Sequence, residues 1–60
     1  MTFMNCYDEE SNLVGQFLTS YETQHDDAES FLNDDKWQNV VAIYDNDNTK
    51  LLAGSPLFLN

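Results

Sequence analysis

Thr23-Gln24-His25-Asp26-Asp27-Ala28-Glu29-Ser30-Phe31-Leu32 is the stretch on which the fold turns. Ala28, Phe31 and Leu32 stand at positions i, i+3 and i+4, a short apolar stripe along one side of a helix. Thr23 or Asp26 is the expected N-cap, and Asp26 with Glu29 has the spacing of a capping box. Acidic residues in a first turn complement the positive end of the helix dipole. The helix is expected to run from about Gln24 to Asp34. A helix this short is marginal in water by itself, so its stripe needs a sheet to pack on.

The flanking sequence supplies that sheet. In Thr2 to Asp8, Phe3 and Tyr7 share one strand face with Asn5 between them, and Met4 and Cys6 share the other. Asp8-Glu9-Glu10-Ser11-Asn12 is a polar turn. From Leu13 to Tyr21, Leu13, Gly15, Phe17, Thr19 and Tyr21 alternate with Val14, Gln16, Leu18 and Ser20, so the two blocks read as a hairpin. Gly15 inside the second block predicts a bulge or a close backbone approach. Beyond the helix, Trp37 to Tyr44 contains the β-rich run Val40-Val41-Ala42-Ile43, expected to be buried on both faces. Asp45-Asn46-Asp47-Asn48 is turn chemistry. Thr49 to Ala53 is the expected fourth strand, Gly54-Ser55-Pro56 breaks it, and Leu57-Phe58-Leu59-Asn60 is an apolar tail. The pattern predicts one α+β domain over residues 1–60, order ββαββ: a four-stranded antiparallel sheet with one helix on one face. The expected core is Phe3, Leu13, Phe17, Ala28, Phe31, Leu32, Trp37, Val41, Ile43 and Leu51.

Composition limits what such a domain can do. Scaling of accessible surface for 60 residues gives roughly 10,000 Å² unfolded and roughly 4,000 Å² folded, enough for one marginal core and little enclosed cleft. Small scaffolds are usually reinforced by disulfides, a metal or a partner subunit. Cys6 is the single cysteine, so no intrachain disulfide forms, and no Cys/His cluster suggests zinc. No apolar run approaches the ~20 residues of a membrane span, and no signal peptide is visible. A lone thiol fits a reducing cytoplasm. The chain carries 11 acidic and 2 basic side chains, net charge -9. Lys36 and Lys50 alone are cationic, which disfavours direct contact with nucleic acid or anionic membranes. Low hydrophobicity with high charge can mean disorder, but eight aromatics set in patterned blocks argue for a folded chain.

Few residues suggest chemistry. Asp45-x-Asp47-x-Thr49 resembles the start of a calcium loop, but position six is Lys50 rather than Gly and position twelve is Pro56 rather than Glu. His25 beside Asp26 and Asp27 reads more simply as a solvated helix start than as a metal or acid/base site. Cys6, alternating with apolar neighbours, reads as a small core residue. Gly15 and Gly54 are isolated, so no phosphate-binding loop exists. No enzyme activity, metal or cofactor is expected.

The acidic residues carry the strongest signal. They cluster as Asp8-Glu9-Glu10, Asp26-Asp27 with Glu29, Asp34-Asp35, and Asp45 with Asp47. On one helix the two Asp pairs would lie eight residues apart, roughly 12 Å at 1.5 Å per residue, the scale of a B-DNA groove. An acidic surface keeps a small protein soluble. Eleven anions against two cations also repel one another, and a partner with a basic groove would relieve that repulsion. The size, the start at Met1, the acidity and the Asn/Asp-rich turns resemble small phage-encoded inhibitors of host enzymes, including anti-CRISPR proteins and other DNA mimics. The strand–helix–strand pattern is similar to that of small phage inhibitors of RNA polymerase. The start at Met1 reads as that of a complete small gene product, and the resemblance implies one that acts in the host cytoplasm and inhibits a nucleic-acid-binding host protein. Its expected binding residues, read from the charge clusters, are Asp26, Asp27, Glu29, Asp34 and Asp35, carboxylates standing in for phosphates. The alternative is a self-associating structural or regulatory module whose acidity serves solubility. Leu57, Phe58 and Leu59 are the expected dimer contact, because a last strand offers an unpaired edge.

Overall fold

The computed structural model describes residues 1–37 and 39–57. Strands β1 (Thr2–Tyr7) and β2 (Leu13–Thr19) form the first hairpin, α1 (Gln24–Leu32) follows, and β3 (Ala42–Tyr44) and β4 (Leu51–Gly54) form the second. All pairings are antiparallel, in the order β2-β1-β3-β4. The domain is therefore α+β with the expected ββαββ order. Among the described residues no helix is long and apolar enough to cross a membrane.

The central position of β1 explains its burial. With neighbours on both sides, it presents Met4 and Cys6 to the helix and Asn5 and Tyr7 to the opposite face, and all four are buried. Ala28 of the helix packs on Met4, Cys6, Val40, Ile43, Leu52 and Ala53, with Cys6 and Ile43 fully enclosed. Two bulges shape this face. One falls between Cys6 and Tyr7, which pair with Gly15 and Leu13 and leave Val14 extra, beside the glycine where a bulge was expected. The other falls between Ile43 and Tyr44, opposite Ala53 and Leu51. Leu52 is the extra residue there, and both Leu52 and Ala53 reach the same core.

At the β2 side the core is closed by three half-buried rings. Phe17 lies 4.4 Å from Phe31 and 5.2 Å from Trp37 by ring centroids, and Phe31 stacks on Trp37 at 4.7 Å and 20°. Pairs of this geometry add about 0.5–1.5 kcal/mol beyond the area they bury.

The opposite face holds a second, smaller cluster. Tyr7, Ala42 and Tyr44 pack with Val41, Leu51 and Leu57, and the two tyrosine rings meet edge to face at 5.9 Å. The Tyr44 hydroxyl accepts from the Leu57 N–H at 2.8 Å and donates to its carbonyl at 3.1 Å, which folds residues 55–57 across the sheet.

Several expectations need correction. Phe3 and Leu13 are exposed, at 46% and 52%, rather than in the core. Both face away from the helix, and the cover on that side lies over Asn5, Tyr7 and Tyr44 instead. Trp37 belongs to a 3-10 turn, Asp35–Trp37, and the third strand begins only at Ala42. All three of its residues are buried; of the apolar run Val40-Val41-Ala42-Ile43, three residues are buried as expected and Val41 is half-buried. β2 stops at Thr19, leaving Tyr21 70% exposed in the following turn. The helix stops at Leu32, two residues short of Asp34. There the Asp34 carboxylate accepts the Lys36 N–H at 3.0 Å, which favours a new turn over another helical one.

Candidate functional site: an acidic groove beside the helix

Thr23 is the N-cap, and it makes no side-chain cap bond. Asp26 therefore sits inside the first turn, and the Asp26–Glu29 capping box does not form. The Thr23 hydroxyl turns to Asp27 instead, donating to Oδ2 at 2.9 Å. The Thr19 hydroxyl donates to the same oxygen at 2.6 Å. Since the one proton of Thr23 is directed at Asp27, Ser20 Oγ is the donor in its 2.8 Å bond to Thr23. The result is a relay of hydroxyls from the end of β2 into the helix, terminating on one carboxylate.

The hydroxyls of Thr19 and then Thr23 hold the Asp27 carboxyl below its ordinary pKa of 3.8. A depressed folded-state pKa means that the ionised form favours the fold. That contribution is present above the ordinary carboxylate range and is lost as pH falls through the folded value.

Asp26, Asp27, Glu29, Asp34 and Asp35 are all exposed, as the sequence suggested. The structure does not make them one straight row. Because α1 ends at Leu32, the 12 Å axial spacing does not apply to Asp34 and Asp35. Asp27 and Asp34 share one place: with Ser30 and Phe31 they line one wall of a groove of about 430 Å³, at spacing i, i+3, i+4 and i+7. The other wall and floor come from Met4 and Phe17, with Leu18 at the strand edge. Asp26, Glu29 and Asp35 lie outside it.

The apolar part of this site was not visible as a site in the sequence. Phe17 and Phe31 read as core and Met4 was not assigned to it, and Phe17 and Phe31 are left half-open because the helix lies over β3 and β4 rather than β2. The available signal was that Asp27, Ser30, Phe31 and Asp34 form a mixed stripe next to the apolar one.

The other singled-out residues have simpler surroundings. Cys6 is enclosed, and burial pushes its thiol from 9.0 up to about 11, which makes it a poor nucleophile near neutral pH. His25 is exposed on the first turn of the helix. Partial desolvation acts to raise the Asp45 carboxyl. It is outweighed by the N–H groups of Thr49 and Lys50, the Thr49 hydroxyl and the Lys50 charge, so the net shift is downward. Asp45 Oδ1 accepts from Thr49 N at 2.8 Å and Lys50 N at 3.2 Å, and Oδ2 accepts from Thr49 Oγ1 at 2.9 Å. The calcium-like stretch is thus a turn closed on its own first carboxylate.

Of the expected dimer contact, Leu57 is half-buried against Tyr44, and Phe58 and Leu59 lie outside the described residues. Exposed apolar side chains occur on the first hairpin instead: Phe3, Leu13, Val14 at 42% and Leu18 at 58%. No protein-family model, curated protein or solved structure matches the chain.

Proposed function

We propose that the chain is a non-enzymatic inhibitor that binds a nucleic-acid-binding host protein in the host cytoplasm, using carboxylates where that protein expects phosphates. The carrying observation is the exposure of Asp26, Asp27 and Glu29 on α1 and of Asp34 and Asp35 just beyond its end, in a chain with net charge -9. Ala28, buried on the sheet-facing side of α1, anchors the helix to the sheet. Attraction of this kind raises association rates and is screened by salt, with a Debye length of about 10 Å at 0.1 M and 3 Å at 1 M.

The test is capture from host lysate on the immobilised chain. The expected result is retention of nucleic-acid-binding proteins at 0.1 M salt, with release by duplex DNA and by 1 M salt. Replacing Asp26, Asp27, Asp34 and Asp35 together by Asn should abolish retention while the circular dichroism spectrum stays native. Retention that survives DNA, 1 M salt and the quadruple substitution would refute the reading.

Self-association is a second reading, favoured by Phe3, Leu13, Val14 and Leu18 exposed on the first hairpin, whose β2 strand ends the sheet among the described residues. It predicts a species of twice 6.9 kDa by light scattering at micromolar concentration, reduced to the monomer by Leu18→Glu. A monomer at every concentration tested excludes it.

A further inference from the structure

We propose that the groove between α1 and the open edge of β2 seats an extended segment of the partner, with one arginine side chain filling it. The proposal rests on the acidic-face reading above and assigns its central contacts.

The lining is suited to a long side chain with a charged head. Met4, Phe17 and Phe31 give an apolar floor for an aliphatic stem. The Phe17 and Phe31 rings, 4.4 Å apart and backed by Trp37, offer aromatic surface to a guanidinium. Asp27 and Asp34 stand on the same wall. Each carboxylate is already oriented by the fold. Asp27 uses Oδ2 to accept from Thr19 and Thr23, and Asp34 uses Oδ1 to accept from Lys36 N. Among the described residues no hydrogen bond reaches Asp27 Oδ1 or Asp34 Oδ2, so one oxygen of each is open to an incoming donor. Lys36 is the cation nearest in sequence, and its backbone N–H is the group that meets Asp34.

The backbone beside the groove argues that the occupant is extended. Among the described residues β2 pairs with β1 alone and ends the sheet. A strand added there would use main-chain hydrogen bonds for affinity and alternate side chains for specificity. The net charge of -9 selects a cationic segment over a second copy of the chain.

The experiment titrates the isotope-labelled full chain with a nine-residue β-prone peptide bearing one central arginine, followed by amide and methyl shifts. Expected are shifts at Met4, Phe17, Ser30, Phe31 and along β2. Replacing arginine by the uncharged isostere citrulline should weaken binding about tenfold, and Asp27→Asn and Asp34→Asn about fivefold each. The control Glu9→Gln with Glu10→Gln, in the β1–β2 turn, removes one charge more than either groove variant and should still stay within about twofold, as expected for screened distant charges. If Asp27→Asn disturbs the fold, Asp34→Asn decides, because Asn keeps the oxygen that accepts from Lys36 N.

Equal binding of the citrulline peptide overturns the proposal, as does a control that weakens binding as much as the groove variants. Groove shifts that follow chain concentration without peptide also overturn it, and assign the groove to a second copy. Failure of the peptide with DNA-released capture intact overturns the groove alone. Loss of capture with groove-specific peptide binding intact overturns the acidic-face function alone.

Discussion

Gly54→Ala is expected to leave most of the chain unfolded at 25 °C. Gly54 has φ of +91°, a conformation that L residues rarely adopt, at the point where β4 leaves the sheet. A Cβ there would stand 2.2 Å from the Val41 carbonyl oxygen and 3.0 Å from its carbon. Both contacts are backbone, so no side chain can swing aside. Relief requires moving β4 away from β3, which breaks the Ala42–Gly54 pairing and the 2.9 Å bond from Ser55 N to Val41 O. Residues forced into unfavourable backbone regions cost about 1–3 kcal/mol before the clash is counted. A domain of this size has only about 3–5 kcal/mol in total. Loss of the native circular dichroism spectrum is the measurement, and melting within a few degrees of the parent would show that β4 ends differently. Gly15→Ala is the internal comparison. Its Cβ would meet the Phe17 ring at 2.8 Å, a side chain that can rotate. That variant should stay folded and disturb chiefly the packing of Phe17 on Trp37, read by tryptophan fluorescence.

The two glycines show what the sequence made legible and what it hid. A bulge beside Gly15 followed from a glycine within alternating β residues, and it is found one residue away. Gly54 read as a strand breaker, whereas it is the last residue of the strand and closes it by contact with Val41. The element order was readable because each block has its own period: two in β1 and β2, three to four in α1. The core list was less so. Periodicity says which residues share a face, not which face is covered. Phe3 and Leu13 were assigned inward on apolarity, while Met4, Cys6 and Leu52 occupy the covered side. Bulges add to this, because an extra residue such as Leu52 breaks the alternation that assigns faces. The acidic candidates were legible in their exposure, since carboxylates in a chain with two cations mostly stay in water. Their division between groove and open surface was not. It depends on where the helix ends and on which strands it covers, and both follow from tertiary contacts.

Asn5 is the clearest residue of this second kind, and replacing it should produce the other large loss. It lies mid-strand in β1 and is 4% exposed, on the face away from the helix. Its Nδ2 donates to the carbonyls of Asp45 at 3.2 Å and Asn46 at 3.3 Å and to Asn48 Oδ1 at 3.0 Å. Its Oδ1 accepts from Gln16 Nε2 at 2.8 Å. The Tyr7 hydroxyl donates to the same Asn48 oxygen at 3.0 Å, and Asn48 takes a left-handed φ of 59° that the Asp45 turn requires. One amide therefore fixes the β3–β4 connection onto β1 across 40 residues of chain. Asn5→Leu keeps the branched shape at a larger volume and removes all four hydrogen bonds made by the Asn5 side chain. Unpaired groups cost about 1–3 kcal/mol each when buried, and part of this is recovered because the loop carbonyls can turn to water. A net loss of about 2 kcal/mol corresponds to a melting temperature lower by about 8–16 °C in a domain of this size. Amide exchange should quicken first at residues 45–50, ahead of Cys6 and Ile43, because the loop loses its tether while the helix-side core is untouched. Asn5→Asp sharpens the test. It retains the acceptor for Gln16 but sets a buried carboxylate against three oxygens, so its charged form is disfavoured and its pKa rises. A group with a raised folded-state pKa loses its contribution as pH rises, so the deficit of Asn5→Asp relative to the parent should widen from pH 4 to pH 7. An Asn5→Leu variant that melts like the parent, with residues 45–50 still protected, would show that the turn holds itself through Asp45 and Thr49 alone.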